Sequence, residues 1–239
     1  GDLAEVFRRS CNIPFAQTAV ALGPDRMVDG TRVWGLDDEL AIDLPRPAAS
    51  TFGDTEDLDE QLPLLAIRGF GQNEVQMVPL HMAMVAGTVA NDGEMMTPYI
   101  VEATYDHEGR LLDRTAPDVW RRPISQQTAA TLTELMTGVT EGDRGTARSV
   151  VLDGGVRYAA KTGTAELGLE SSPDLVHAWM IAFAPLEAPR YAVAVVLTDL
   201  ESTQADAATG GRVAGPVVKG LLDYLLTGDG ANVPLNGPN

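Results

Sequence analysis

The residues best suited to chemistry form the run Lys161-Thr162-Gly163-Thr164, which is flanked by alanines. The run is predicted to lie in a β-strand, where lysine is uncommon because an unpaired ammonium group is costly to bury. Glycine within a strand is typical of a position where another backbone or a ligand approaches closely. A strand edge with a cation, two hydroxyls and bare backbone is suited to binding an extended peptide that ends in a carboxylate.

A purely structural interpretation of the same run stays open. A lysine on an edge strand discourages aggregation and needs no ligand. Side chains alternate between the two faces of a strand, so spacing alone puts Lys161 and Thr162 on opposite faces. The pattern by itself does not bring both side chains to one ligand.

A second candidate is the loop Ser10-Cys11-Asn12, which separates predicted helices over residues 2–9 and 14–22. A serine and an asparagine two residues apart are more often turn residues than catalytic groups. The two runs are informative together because of their order, since Ser-x-Asn precedes Lys-Thr-Gly along the chain.

Hydrophobic periodicity and turn residues predict the elements that position these runs. The predicted helices span residues 2–9, 14–22, 79–89, 125–139 and 213–226, a hairpin spans 98–112, and three strands span 157–165, 177–184 and 191–198. The strand connections are short enough for an antiparallel meander. We therefore predict an α/β fold with an antiparallel sheet flanked by helices, in which the strand of Lys161 is the edge and the 191–198 strand lies beyond the 177–184 strand.

Two segments are predicted to be poorly ordered. Residues 37–60 carry nine acidic side chains against one basic residue, Arg46, which is typical of a solvated, mobile loop. A calcium site there is an alternative, although the ligand spacing of known calcium loops is missing. Residues 227–239 are rich in Gly, Asn and Pro and are predicted to be a disordered tail, leaving residues 1–226 as one partial domain.

The composition excludes several classes of function. The formal net charge of −17 opposes binding to nucleic acid or to an anionic membrane surface. Cys11 is the only cysteine, so intrachain disulfides and paired-cysteine metal sites are ruled out. No metal or cofactor is expected. No run approaches the roughly 18 apolar residues of a membrane span, so any export signal or anchor is expected outside this chain.

The two runs and the segments between them resemble the penicillin-binding protein and serine β-lactamase superfamily, whose motifs are S-x-x-K, S-x-N and K-T-G. The similarity is to class B penicillin-binding proteins and covers roughly residues 2–226. Besides the two motifs it rests on Gly71-Gln72, residues 78–83, 90–93 and 96–98, Gly145-Thr146-Ala147, Ala165-Glu166, and residues 177–179 and 183–185.

The chain departs from the family pattern at the first motif. The residues three before its two lysines are Tyr158 and Pro216, so no S-x-x-K is present. The resemblance implies that the nucleophilic serine lies upstream and that the fold is incomplete at its N-terminal side. This chain alone is therefore predicted to be inactive.

What the resemblance implies is a peptidoglycan D,D-transpeptidase domain that works by serine acyl transfer. Ser10 would relay a proton, Asn12 would hydrogen-bond the substrate amide, and Lys161 would hold Ser10 in a positive field. Thr162 and Thr164, on either side of Gly163, would bind the donor carboxylate, and the Thr164 backbone N–H would be one oxyanion donor.

The resemblance also implies the setting. Stem peptides of peptidoglycan and β-lactams are the expected ligands, cell-wall synthesis proteins are possible partners, and the location is the cell envelope outside the cytoplasm. A serine β-lactamase is disfavoured, because no Glu-x-x-Leu-Asn segment occurs and 151 residues separate Ser10 from Lys161. A non-catalytic peptide-binding module of the same fold stays open.

Three further side chains are assigned structural roles. Trp179 and Phe183 are predicted to lie in the core. His177 has no acidic or second histidine partner nearby in sequence, which favours a structural role over catalysis.

Overall fold

The computed structural model describes residues 2–56, 58–167, 175–201 and 209–227. Within these ranges the helices are α1 (Leu3–Arg8), α2 (Asn12–Leu22), α3 (Pro24–Val33), α4 (Leu62–Arg68), α5 (Pro79–Ala90), α6 (Gln126–Glu141) and α7 (Gly210–Thr227). The strands are β1 (Met95–Met96), β2 (Ala103–Tyr105), β3 (Leu111–Arg114), β4 (Val119–Arg121), β5 (Ala159–Glu166), β6 (Leu175–Ala184) and β7 (Tyr191–Glu201). The predicted tail starts one residue too early, since Thr227 ends α7, and its residues 228–239 lie outside the described part.

The main sheet is an antiparallel meander in the order β5-β6-β7. Lys161 lies opposite Ile181, and Gly163 lies opposite Trp179 on β6. The strand with Lys161 is paired on one side within the described residues, so the predicted edge position and strand order are confirmed.

Helices cover both faces of this sheet. Ile181 and Phe183 of β6 pack with Val89 of α5 and Met136 of α6 on one face. Met180 and Ala182, which alternate with these residues along β6, point to the other face. They pack with Ala214, Val218 and Leu222 of α7. The alternation along β6 thus gives a sheet buried on both sides, which confirms the predicted α/β architecture.

Polar side chains at two helix starts fix where the chain enters those helices. Asp2 accepts a hydrogen bond from the Glu5 N–H at 2.8 Å at the start of α1. Ser125 accepts one from the Thr128 N–H at 3.1 Å at the start of α6. Both are N-caps that satisfy a backbone donor left free by the first turn of a helix.

Four short elements were absent from the sequence-based prediction. The pair Gly23-Pro24 ends α2 but also begins α3, because Gly23 adopts φ +80° and Pro24 fits the first turn of the next helix. Helix α4 and the antiparallel pair of β1 with β4 are too short to give a clear hydrophobic period.

The acidic segment 37–60 is irregular and most of its described residues are exposed, as predicted for a solvated loop, but a few of its side chains are buried. Phe52 and Leu58 are each 2% exposed and pack with Leu36 in a small core of their own. Ser50 is fully buried, and its hydroxyl lies 2.9 Å from Nδ1 of His81, whose Nε2 donates to the Trp34 backbone oxygen at 2.9 Å. A few apolar residues therefore anchor the segment despite its charge.

The described helices include none that is both long and apolar enough to cross a membrane. The described residues also include no group of three or more His, Cys, Asp or Glu side chains placed to hold a metal ion.

Candidate active site

Ser10 is held in a tight turn between α1 and α2. Its backbone has φ +55°, in the left-handed region that a non-glycine residue seldom adopts. The Ser10 N–H donates to the Phe7 carbonyl at 3.1 Å and the Cys11 N–H donates to Val6 at 3.0 Å, so the end of α1 enforces the turn. Asn12 begins α2 directly after it.

Lys161 extends from the β5 edge to this turn. Its Nζ donates to Ser10 Oγ at 2.8 Å and to the Thr162 backbone oxygen at 2.6 Å. The ammonium group also lies 5.6 Å from the centre of the Phe7 ring, a cation–π distance. Two residues 151 positions apart in the chain thus form one hydrogen-bonded pair.

Burial changes the acidity of this lysine. Desolvation lowers the pKa of Lys161 from its ordinary value to about 8. The amine therefore stays mostly protonated at neutral pH, but its proton is held far less tightly than that of a surface lysine.

The two threonines of the run have different surroundings. Thr162 is 6% exposed, and its hydroxyl lies 2.6 Å from the hydroxyl of Thr146. Thr164 is exposed, and its hydroxyl accepts a hydrogen bond from the Gly210 N–H at 3.3 Å at the start of α7. Lys161 therefore faces Ser10 while Thr162 faces Thr146, as the alternation of a strand requires.

Gly163 lies where two backbones come together. A Cβ built on Gly210 would stand 2.6 Å from the Gly163 oxygen, a distance that real Cβ atoms do not reach. The sequence predicted a close approach of another backbone or a ligand to Gly163, and the start of α7 does approach it, but the glycine that this approach requires is Gly210, since a Cβ on Gly163 would meet only the Trp179 Cβ at 3.4 Å.

These side chains line one cavity of about 700 Å³ beside the β5 edge. Ser10, Asn12, Lys161 and the run 162–164 all border it, so the fold brings every predicted site residue to a single cleft. Asn12 is exposed there. An amine, a hydroxyl and a carboxamide around a free strand edge are groups that can move a proton and hold a peptide amide.

A second cavity of about 630 Å³ adjoins the same strand edge. Apolar side chains line much of it, among them Phe70, Met82 and Trp179. Trp179 is partly exposed to this cavity, so its assignment to the core was wrong, whereas Phe183 is 1% exposed and confirms its assignment. His177 also borders the cavity and accepts the Asp199 N–H at 3.2 Å.

Sequence reasoning gave no role to two residues that contact the site. Gln72 Nε2 donates to the Thr164 backbone oxygen at 3.3 Å, and Thr146 pairs with Thr162. Both belong to segments on which the family resemblance rests, Gly71-Gln72 and Gly145-Thr146-Ala147. Their place in these segments was the only sequence evidence for a role in the site.

Comparison with known proteins agrees with this geometry. A family model described as the penicillin binding protein transpeptidase domain matches residues 1–223. The chain belongs to this family. Among curated relatives, the peptidoglycan D,D-transpeptidase PbpA of Mycolicibacterium smegmatis is 37% identical over 225 residues, which is 94% of this chain and 44% of the relative. PbpA of Mycobacterium tuberculosis is 36% identical over 233 residues, 95% of this chain and 44% of the relative.

Solved structures give the same assignment to the class B penicillin-binding proteins. The crystal structure of PBPA from M. tuberculosis superposes with a TM-score of 0.81 at 35% identity, covering 94% of this chain and 51% of that one. Its penicillin G acyl-enzyme complex superposes with a TM-score of 0.78 at 35% identity, covering 95% of this chain and 50% of that one. The chain thus spans about half the length of the relatives it matches.

Proposed function

We propose that this chain is the part of a serine-type peptidoglycan D,D-transpeptidase that supplies the proton relay and the peptide-binding strand. The observation that carries the proposal is the 2.8 Å hydrogen bond from Lys161 Nζ to Ser10 Oγ beside the β5 edge. The nucleophilic serine and its own lysine are proposed to come from a segment outside these 239 residues. We further propose that residues 1–226 are one partial transpeptidase domain.

The proposed chemistry is acyl transfer in two steps. The upstream serine attacks the carbonyl of a stem-peptide bond, and the leaving amine takes a proton through Ser10 Oγ. Asn12 hydrogen-bonds the amide of the donor peptide, and the Thr164 backbone N–H donates to the oxygen of the tetrahedral intermediate. A second amine then attacks the acyl-enzyme carbonyl and forms the cross-link, while a proton from this amine passes through Ser10 Oγ to the released serine oxygen.

Lys161 has the acidity that this role needs. Its positive charge makes the Ser10 hydroxyl a better proton donor to the leaving amine, and a pKa of about 8 keeps the charge in place at neutral pH. A general acid or base works best when its pKa lies near the working pH. Among the described residues, the other lysine is engaged elsewhere, since Lys219 pairs with Asp153 and Asp223.

The ligands and setting follow from the family and stay proposals. The donor is a stem peptide that ends in a carboxylate, and Thr162, Gly163 and Thr164 are proposed to bind it. The M. tuberculosis relative forms acyl-enzymes with penicillin G and imipenem, so β-lactams are proposed to acylate the intact protein here too. We also propose a location outside the cytoplasm, an anchor outside this chain, and partners among cell-wall synthesis proteins.

Intact-mass measurement after incubation with penicillin G tests this proposal. The 239-residue chain should gain no covalent adduct, because Ser10 has no lysine three residues after it to activate it as a nucleophile. The full-length protein should gain one adduct of stoichiometric yield. A stoichiometric adduct on the 239-residue chain would show that the nucleophile is misassigned.

The same measurement separates the alternative function. A full-length protein that binds a stem peptide reversibly but gains no adduct would be a non-catalytic peptide-binding module. Rapid loss of the adduct by hydrolysis would instead identify a β-lactamase.

A further inference from the structure

The hydroxyl pair of Thr146 and Thr162 is the least expected polar contact in the cleft. Thr162 belongs to the β5 run, whereas Thr146 comes from the loop between α6 and β5. Their oxygens are 2.6 Å apart, and both residues border the cavity that contains Ser10 and Lys161. From this contact we propose that Thr146 is a positioning residue, which aims the Thr162 hydroxyl at the carboxylate of the bound donor. The inference rests on the function proposed above.

The numbers of hydrogen-bond donors and acceptors in the two hydroxyls support this role. Each threonine hydroxyl has one hydrogen to donate and two lone pairs to accept. Either hydroxyl could be the donor in this pair, and in the proposed arrangement Thr146 donates, which leaves the hydrogen of Thr162 available to a ligand. Neither hydroxyl has another hydrogen-bond partner among the described residues. Thr162 borders the cleft, so its hydroxyl hydrogen can reach a ligand bound there.

The same reasoning applies to the exposed threonine of the run. Thr164 lies two positions from Thr162 and therefore on the same face of β5. Its hydroxyl already accepts the Gly210 N–H at 3.3 Å, so its own hydrogen is also available to a ligand. The proposed arrangement therefore offers two hydroxyl hydrogens to a ligand beside the N-terminal end of α7, where the partial positive charge of a helix favours an anion. A carboxylate is an acceptor that suits both.

Thr146 is rigidly held, which a positioning residue requires. A Cβ on Gly211 would stand 2.0 Å from the Thr146 backbone oxygen, so α7 presses directly on this residue. On the other side, the next residue, Ala147, donates its N–H to the Val139 carbonyl of α6 at 3.1 Å. Two helices therefore fix the Thr146 backbone, and its hydroxyl can orient Thr162 without first being ordered by the ligand.

The test compares ligands with and without the carboxylate in the full-length protein. Thr146→Val removes the hydroxyl at nearly constant shape, and Thr146→Ser retains it. We expect Thr146→Val to lower the second-order rate of acylation by penicillin G by roughly tenfold, a typical loss for a hydrogen bond to a charged group. Acylation by the methyl ester of penicillin G should change by less than about twofold, and Thr146→Ser should restore the rate with the free acid to within about threefold.

Thr131→Val is the matched control. Thr131 is exposed on α6, its hydroxyl bonds only to the Gln127 carbonyl at 3.0 Å, and it does not border the cleft. Its rates with both ligands should equal those of the wild type. Equal losses for acid and ester in Thr146→Val would overturn the proposal, because they would indicate a packing defect. An unchanged rate with the acid would overturn it as well.

A failure of the proposed function can be told apart from a failure of the Thr146 assignment. If the proposed function is wrong, the wild-type full-length protein is not acylated. Reversible binding of N-acetyl-D-alanyl-D-alanine and of its C-terminal amide then serves as the test, measured by calorimetry. Thr146→Val should weaken binding of the acid by roughly tenfold and leave the amide unchanged. Equal effects on acid and amide, or none on the acid, would refute the assignment of Thr146.

Discussion

Replacing Lys161 with methionine should change how the stability of the chain depends on pH. Burial lowers the pKa of Lys161 from 10.5 to about 8 in the folded protein. Between pH 8 and 10.5 the unfolded chain binds the proton and the folded chain does not, so the free energy of unfolding increases with pH. A shift of this size corresponds to about 3 kcal/mol when the whole interval is crossed. The Lys161→Met variant lacks this contribution.

Urea unfolding of both proteins at pH 7, 8, 9 and 10 measures the effect. The free energy of unfolding of the wild type minus that of Lys161→Met should increase steadily above pH 8, and by pH 10 it should exceed its value at pH 7 by somewhat less than about 3 kcal/mol. All other titrating groups cancel in this difference. The comparison therefore isolates one ammonium group.

Lys219→Met is the control, because the pKa of Lys219 is raised whereas that of Lys161 is lowered. The carboxylates of Asp153 and Asp223 raise the pKa of Lys219, so its contribution is fully present below the unfolded pKa of 10.5, declines as the pH rises through the folded pKa and is then gone. The corresponding difference for Lys219 should stay flat from pH 7 to 10. A flat curve for Lys161, or equal slopes for both lysines, would refute the idea that burial controls the acidity of Lys161.

Three further predictions concern the site and its support. In the full-length protein, Lys161→Ala should slow acylation by penicillin G by about 10²-fold, the usual loss for one transition-state electrostatic contact, and an unchanged stopped-flow rate would contradict the relay. Burial lowers the pKa of His81, so stability should fall as the pH drops below about 6.5, and His81→Gln should remove that part of the slope in urea unfolding between pH 7 and 5. Gly211→Ala should destabilise the chain by about 1–3 kcal/mol, because its Cβ would meet the Thr146 oxygen at 2.0 Å, whereas Gly220→Ala in open space on the same helix should stabilise it by up to about 1 kcal/mol. Equal melting temperatures for the two alanine variants would contradict this packing argument.

The sequence was informative wherever a local pattern determined the outcome. The meander of β5, β6 and β7 was predictable because its strands are long and apolar and its connections are short. The family motifs identified Ser10 and Lys161, and strand alternation correctly placed Lys161 and Thr162 on opposite faces. None of these inferences needed knowledge of the tertiary packing.

Other features depend on contacts that no local pattern encodes. The acidic segment is anchored by Phe52 and Leu58, whose burial depends on Leu36 and on neighbours from α3 and α4. Thr146, which contacts the site, is packed closely against α7, which begins more than sixty positions later in the chain. Sequence spacing could not predict either contact, because each is formed by segments that meet only in the folded chain.

The scarcity of lysine has a practical consequence for chemical labelling. Lys161 and Lys219 are the only two lysines in the sequence, and their environments are opposite. Amine-reactive reagents attack the neutral form, which Lys161 with its pKa of about 8 provides near pH 8, while carboxylate partners keep Lys219 protonated. Because Lys161 borders the cleft, a bound ligand would shield it from the reagent. The extent to which an activated ester acylates Lys161 therefore measures the fraction of molecules whose cleft is occupied by a ligand.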